Sequence, residues 1–381
     1  MGKKISIQVF SNSLGDEEIK AIEPILKSRW IGMGKETELF EKEFGQTIGS
    51  KSVLAVNSCT SALFLSMHIL GIGQGDEVII PSINFIGTAN AVLNVGAKPI
   101  FADVDPDTLN LLPSEIRRLR TKNTKAVLLL HYGGHPCDFD TISDAAKGLS
   151  LIEDSANSIV SQYKGRTCGT LGDLGCFSFD AMKILCVGDG GALVVNRPDL
   201  IDRAQEYRYL GIKNQKSGID SFKAKNTKWW EIDLGRTSGR YISNDIASAI
   251  GRVQLKKLSG FIARRKEIWG RYQKELRQFD WIVRPPEPLT ETTTSYYLFW
   301  IKLKAKVRDA LAQHLVSKGI YCTFRYYPLH LIKQYNSTEK LKNSESLNDT
   351  VLNLPLHQNI SDTDLDYIIE TIKDFEQKIR Q

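Results

Sequence analysis

Short apolar runs return along the first half of this chain, separated by longer stretches of helical composition: Glu77–Ile80, Pro99–Ala102, Ala126–Leu130, Leu149–Ile152, Cys176–Phe179 and Ala192–Val195. Strands that are apolar on both faces need cover on both sides, and parallel strands need crossovers, which the intervening helices supply. The pattern predicts an α/β domain on a mostly parallel sheet. After about residue 250 the rhythm changes to long charged helices, Asp245–Arg277 and Ser361–Arg380, with sparse strands such as Tyr296–Lys304. We therefore expect a large α/β domain over 1–260 and a smaller α+β domain over 261–381. Gln215–Trp230, rich in Lys, Asn and Ser, reads as a long loop of the kind that carries function.

Composition closes off several classes. Hydrophobic residues at 42% and charged residues at 25% fit an ordinary soluble globular chain. The net charge of +6 is spread over the sequence, so it leaves no nucleic-acid footprint. The longest apolar-rich run, Ala62–Ile72, falls well short of the roughly 20 residues that span a bilayer. Ile5–Phe10 is too short and polar for a signal-peptide core. Six cysteines without C-x-x-C spacing read as reduced thiols of a cytoplasmic protein.

In an open parallel sheet, ligands sit beyond the carboxyl ends of the strands. Three clusters fall there. Asn57-Ser-Cys-Thr-Ser61 opens a helix with small hydroxyl residues, which either caps it or turns its N–H groups toward a phosphate. Glu153-Asp154 ends an apolar run, where a carboxylate either meets solvent or holds a cationic ring nitrogen or a metal. Lys183 stands among Ala, Met, Ile, Leu, Cys and Val, where desolvation is expected to lower its pKa toward nucleophilic use. His131 and His135 lie four apart, but two glycines and a proline deny them the helix that would make them joint metal ligands. Neither a nucleophile elbow nor a Walker loop is present.

Four motifs in order, Gly73-Gln-Gly-Asp-Glu-Val-Ile-Ile-Pro-Ser82, Ile152-Glu-Asp-Ser-Ala156, Phe177-Ser-Phe-x-x-x-Lys183 with Gly-Asp-Gly-Gly behind it, and Asn353-Leu-Pro-Leu-His357, resemble the DegT/DnrJ/EryC1/StrS sugar aminotransferases. The resemblance runs from about Trp30 to the C-terminus. It implies the aspartate-aminotransferase fold, with a mostly parallel seven-stranded sheet, and the cofactor pyridoxal 5'-phosphate. It further implies that Lys183 carries the cofactor as a Schiff base and shuttles the proton, and that Asp154 faces the pyridine nitrogen while Glu153 is structural. Asn157 matches the amide at the ring hydroxyl, Phe85 the aromatic that stacks on the ring, and Ser178 with Ser58, Cys59 and Thr60 the phosphate cradle, Cys59 replacing the usual glycine.

Ser238-Gly-Arg-Tyr-Ile242 aligns with a segment that reaches from a neighbouring subunit toward the cofactor phosphate, so Arg240 implies a homodimer with shared sites. Trp229, Trp230 and His330 either line the sugar pocket or pack elsewhere. The implied reaction moves an amino group from L-glutamate to a keto sugar, a nucleotide-linked hexose or an eight-carbon ketosugar acid, for surface-polysaccharide (such as lipopolysaccharide) or natural-product sugar biosynthesis. Relatives that instead dehydrate sugars replace the lysine by histidine, and this chain keeps Lys183. A regulatory protein on the same fold would be colourless and would not consume glutamate.

Overall fold

The computed structural model describes residues 6–213 and 230–379. The apolar runs become strands β2 (Glu77–Pro81), β3 (Lys98–Ala102), β4 (Thr124–Leu130), β5 (Ser150–Asp154), β6 (Leu174–Ser178) and β7 (Gly191–Val195), preceded by β1 (Val53–Val56). They form one seven-stranded sheet in the order β1-β7-β6-β5-β4-β2-β3. Neighbours pair in parallel from β6 to β3, whereas β7 runs antiparallel to both β1 and β6. Reversing β7 places its first residue, Gly191, at the edge where the other six strands end.

Helices α1 (Asp16–Ser28), α2 (Lys35–Ile48), α3 (Cys59–Leu70), α4 (Ile86–Asn94), α5 (Pro113–Leu119), α6 (Phe139–Ala145) and α7 (Ile201–Arg208) precede α8 (Asp245–Glu275). Successive strand residues enter opposite cores, as the period of two requires. Leu54, Val56, Leu193 and Val195 pack under α3 with Leu63 and Met67, while Val53, Ala55, Ala192 and Val194 pack on the other face with Phe40 and Phe44 of α2. Gly71 ends α3 in the left-handed conformation, φ 71°, with its N–H on the His68 and Met67 carbonyls, so this glycine terminates and turns the chain.

The C-terminal part pairs β8 (Phe299–Lys302) antiparallel with β9 (Val351–Leu354), and adds helices α9 (Ala305–Ser317), α10 (Lys342–Thr350) and α11 (Asp362–Ile379). Its core joins Ile268, Trp269 and Tyr272 of α8 to Leu311, Ile368 and Ile372, and also takes in Ile7, which bridges to Ile320. The expected division at residue 260 falls inside α8, one helix of 31 residues, because the helix packs against both halves. No helix among the described residues is long and apolar enough to cross a membrane. All six cysteines are buried and unpaired.

Candidate active site

The carboxyl ends of β1, β2, β5 and β6 open onto one cavity of about 300 Å³. β1 runs into Ser58, which N-caps α3 by accepting the Ser61 N–H on Oγ at 3.0 Å. The first-turn N–H groups of Cys59 and Thr60 have no acceptor within the helix and carry its positive dipole end. Gly191 lets β7 pass directly behind this turn: a Cβ there would lie 2.5 Å from the Cys59 nitrogen and 2.5 Å from the Ser58 carbonyl carbon. β2 leads to Asn84 and to Phe85, the N-cap residue of α4, whose exposed ring faces Tyr326 at 6.1 Å between centroids. Ser58, Cys59, Thr60, Phe85, Asp154, Asn157, Ser178 and Lys183 all line the cavity.

The acidic pair at the end of β5 divides by face. Glu153 turns away from the cavity and accepts the N–H groups of Gly169, Leu171 and Gly172, each at 2.7 Å. His131 Nδ1 accepts the Cys137 N–H at 3.0 Å, which leaves the ring proton on Nε2, 2.9 Å from the same carboxylate. Glu153 is thus a buried anchor with every oxygen engaged. Asp154 lines the cavity with Oδ1 on the Ala156 N–H at 3.1 Å. Burial pushes its pKa above the usual carboxylate range, against the pull of the Ala156 N–H, Lys183 and His131.

Lys183 lies in the segment between β6 and β7, half-buried but open to the cavity, and its Nζ donates to the Tyr297 hydroxyl at 3.4 Å. The expected downward pKa shift is overturned. Burial does pull the amine down, but Tyr297, Tyr326, Asp154 and Cys59 outweigh it and hold it above the ordinary lysine value. The apolar neighbours in sequence were the wrong guide, because the groups that set the potential come from other strands. Burial likewise raises the Cys59 thiol, helped by Asp154, so Cys59 stands as a neutral wall residue.

Among the described residues, His330, Trp230 and Arg240 fall outside the lining. His330 is buried, with Nδ1 2.6 Å from Ser82 Oγ, and Tyr326 is the member of that segment that reaches the cavity. Trp230 is exposed and away from it, while Trp229 and residues 214–228 of the expected loop lie outside the described residues. Arg240 is exposed, with its guanidinium 5.6 Å from the Tyr209 ring centroid. Sequence reading passed over Asn84, Arg325 and Tyr326 of the lining and Tyr297 beside Lys183; the doublets Tyr296-Tyr297 and Tyr326-Tyr327 were the available signal.

These residues fit pyridoxal phosphate. Asn157 is buried, yet neither Nδ2 nor Oδ1 of its amide has a partner among the described residues, which calls for a polar ligand in the cavity. The α3 N-terminus suits an anion, Asp154 suits a cationic ring nitrogen, and Lys183 supplies the amine. A doubly wound sheet with these groups at its carboxyl edge defines a pyridoxal-phosphate-dependent aminotransferase. Residues 12–373 match the profile of the DegT/DnrJ/EryC1/StrS aminotransferase family, and the chain belongs to that family.

A curated relative, the dTDP-4-dehydro-2,3,6-trideoxy-D-glucose 4-aminotransferase of Saccharopolyspora spinosa, is 43% identical over 369 residues, 96% of this chain and 94% of that protein. The crystal structure of the aminotransferase TlmJ from Streptoalloteichus hindustanus superposes with a TM-score of 0.92 at 42% identity, covering 98% of this chain and 99% of that one. The sugar aminotransferase Spr1654 of Streptococcus pneumoniae, described as putative and solved in its PMP form, gives 0.91 at 25% identity over 98% of this chain and 100% of that one. It is also solved in a PLP form.

Proposed function

We propose that this protein moves an amino group from L-glutamate to the keto carbon of a nucleotide-linked sugar. The observation that carries the reading is the convergence of Lys183, Asp154, the unpartnered Asn157 amide and the α3 N-terminus on one cavity. The Saccharopolyspora relative, named for amination at carbon 4 of a dTDP-linked sugar, supports a nucleotide-linked acceptor over an eight-carbon ketosugar acid.

Bound pyridoxal phosphate supplies an aldehyde that exchanges for an amine and a ring that takes up the electrons of a breaking C–H bond. The N–H groups at Cys59 and Thr60, with the Ser58 and Ser178 hydroxyls, hold the phosphate. Asp154 would keep the ring nitrogen protonated, the cationic ring offsetting the cost that burial places on the carboxylate charge. Asn157 would donate to the ring hydroxyl and Phe85 would cover the ring. Lys183 Nζ would hold the cofactor and would move a proton at the substrate carbon, with the Tyr297 hydroxyl 3.4 Å away to orient it. Arg240 is absent from its own chain's cavity, as a residue serving the neighbouring subunit would be, and we place it on the phosphate of a partner within a homodimer. Thiols that are all buried and unpaired suit a cytoplasmic enzyme.

Borohydride reduction of the loaded protein followed by peptide mass spectrometry tests the core of this reading. The label is expected on Lys183; its recovery on another lysine, or none, overturns the assignment.

A further inference from the structure

Asn84, just past β2, lines the cavity beside Phe85 and is only 1% exposed. Its Oδ1 accepts the Phe85 N–H at 2.6 Å, which fixes the orientation of the amide and identifies Nδ2 as the free end. That nitrogen is buried and has no acceptor among the described residues. Buried polar groups are nearly always paired, so a donor held open in a ligand cavity is set for an oxygen that arrives with a ligand. Asn157 shows the same lack, and in the proposed site the cofactor's ring hydroxyl fills it. For Asn84 no group of the cofactor remains. The phosphate is taken by the α3 N-terminus, the ring nitrogen by Asp154, the ring hydroxyl by Asn157 and the aldehyde carbon by Lys183.

We propose that Asn84 Nδ2 donates to a hydroxyl of the keto sugar on a carbon next to the one aminated. The inference rests on the aminotransferase reading and adds which acceptor sugars the cavity takes, those that keep this hydroxyl. The amino donor presents carboxylates, which gain most from a cation and little from one neutral amide. The keto oxygen leaves as water, so a donor fixed on it would have to release it in every turnover, whereas a neighbouring hydroxyl persists from substrate to product. Tyr326 joins this corner to the reacting amine: its ring lies 6.1 Å from that of Phe85, and it is among the groups that act on Lys183. The sugar for which the Saccharopolyspora relative is named is 2,3,6-trideoxy and lacks the hydroxyl beside carbon 4, so the two enzymes should differ in the sugars they accept.

The test gives the loaded enzyme two dTDP-linked 4-keto-6-deoxyglucose sugars, one with its carbon-3 hydroxyl and one without. The pyridoxamine form should favour the hydroxylated sugar in kcat/KM by roughly ten- to hundredfold, because the deoxy sugar leaves the buried donor unpaired. Asn84→Ala should erase that preference through a loss on the hydroxylated sugar. Asn84→Asp keeps an acceptor for the Phe85 N–H but has no donor, and it should lose the preference as well. A wild type that does not discriminate, a preference that survives Asn84→Ala, or a loss that falls equally on the glutamate half-reaction overturns the proposal. So does a preference retained in Asn84→Asp, which would assign the effect to the Phe85 contact. An enzyme that aminates neither sugar refutes the proposed function instead. Calorimetric binding of the two matching 4-amino sugars to the pyridoxal form then still judges Asn84, by the same ratio.

Discussion

Lys183 Nζ stands 3.4 Å from the Tyr297 hydroxyl and 4.8 Å from the centroid of the same ring, so one buried tyrosine both accepts from and shields the reactive amine. Against the downward pull of burial, Tyr297 heads the groups that hold the Lys183 pKa above its ordinary value. In the cofactor-free protein the amine is therefore protonated through neutral pH and becomes nucleophilic only as pH rises. Tyr297→Phe keeps the ring and removes the acceptor. Acylation of Lys183 in cofactor-free protein, followed across pH by peptide mass spectrometry, should show its midpoint move to lower pH in the variant, while kcat of the loaded enzyme falls about tenfold. An unmoved midpoint means the hydroxyl does not tune the amine.

Asp154 makes a two-sided prediction. Burial raises its folded pKa, so Asp154 takes up a proton more readily in the folded, cofactor-free protein than in the unfolded chain. The associated stability is present below the unfolded value of about 3.9 and is lost as pH climbs through the folded value. Asp154→Asn escapes that loss, so its cofactor-free form should melt about 2 °C higher than wild type at pH 7, with the gap closing near pH 4. The same substitution removes the carboxylate facing the ring nitrogen and should lower kcat about a hundredfold, with far less change in cofactor affinity. Differential scanning fluorimetry across pH and steady-state kinetics check the two halves.

Gly191 separates packing from chemistry, since it touches no reacting group. A methyl there would sit 2.5 Å from backbone atoms of Cys59 and Ser58 and 2.8 Å from the Phe177 carbonyl oxygen, none of which is the end of a flexible side chain. Gly191→Ala must push β7 away from the first turn of α3, at a cost of about 1–3 kcal/mol. The expected result is a lower melting temperature together with weaker cofactor retention in equilibrium dialysis. Unaltered retention would mean that the α3 turn is not the phosphate cradle.

The six apolar runs were legible as strands because each is long enough to be buried on both faces, and Lys183 stood out because its sequence neighbours are apolar. β1 was passed over although Val53-Leu-Ala-Val56 is as apolar as the other runs, because it merges directly into the polar turn at Asn57. The reversal of β7 was invisible, since side-chain periodicity carries no strand direction. Period two puts Glu153 and Asp154 on opposite faces, but only the fold decides which face holds the cavity. Tyr297 and Arg325 stayed hidden because their contacts with Lys183 and Met182 span 114 and 143 residues of sequence. The sign of the Lys183 shift was missed for the same reason.

Arg240 allows the shared site to be tested without a partner structure. Exposed on its own chain and outside the cavity lining, it meets the Tyr209 ring with its guanidinium and no carboxylate among the described residues. In a homodimer with shared sites, Lys183→Ala homodimers lack the amine in both sites, and Arg240→Ala homodimers lack the phosphate contact in both. A mixed dimer has one site with both residues intact, the amine from one chain and the guanidinium from the other. Random reassociation makes half of the dimers mixed, so activity should recover to about a quarter of wild type at a cofactor concentration that leaves Arg240→Ala homodimers unloaded. Activity no higher than the sum of the separate variants would assign Arg240 to its own chain's surface and remove the argument for a shared site.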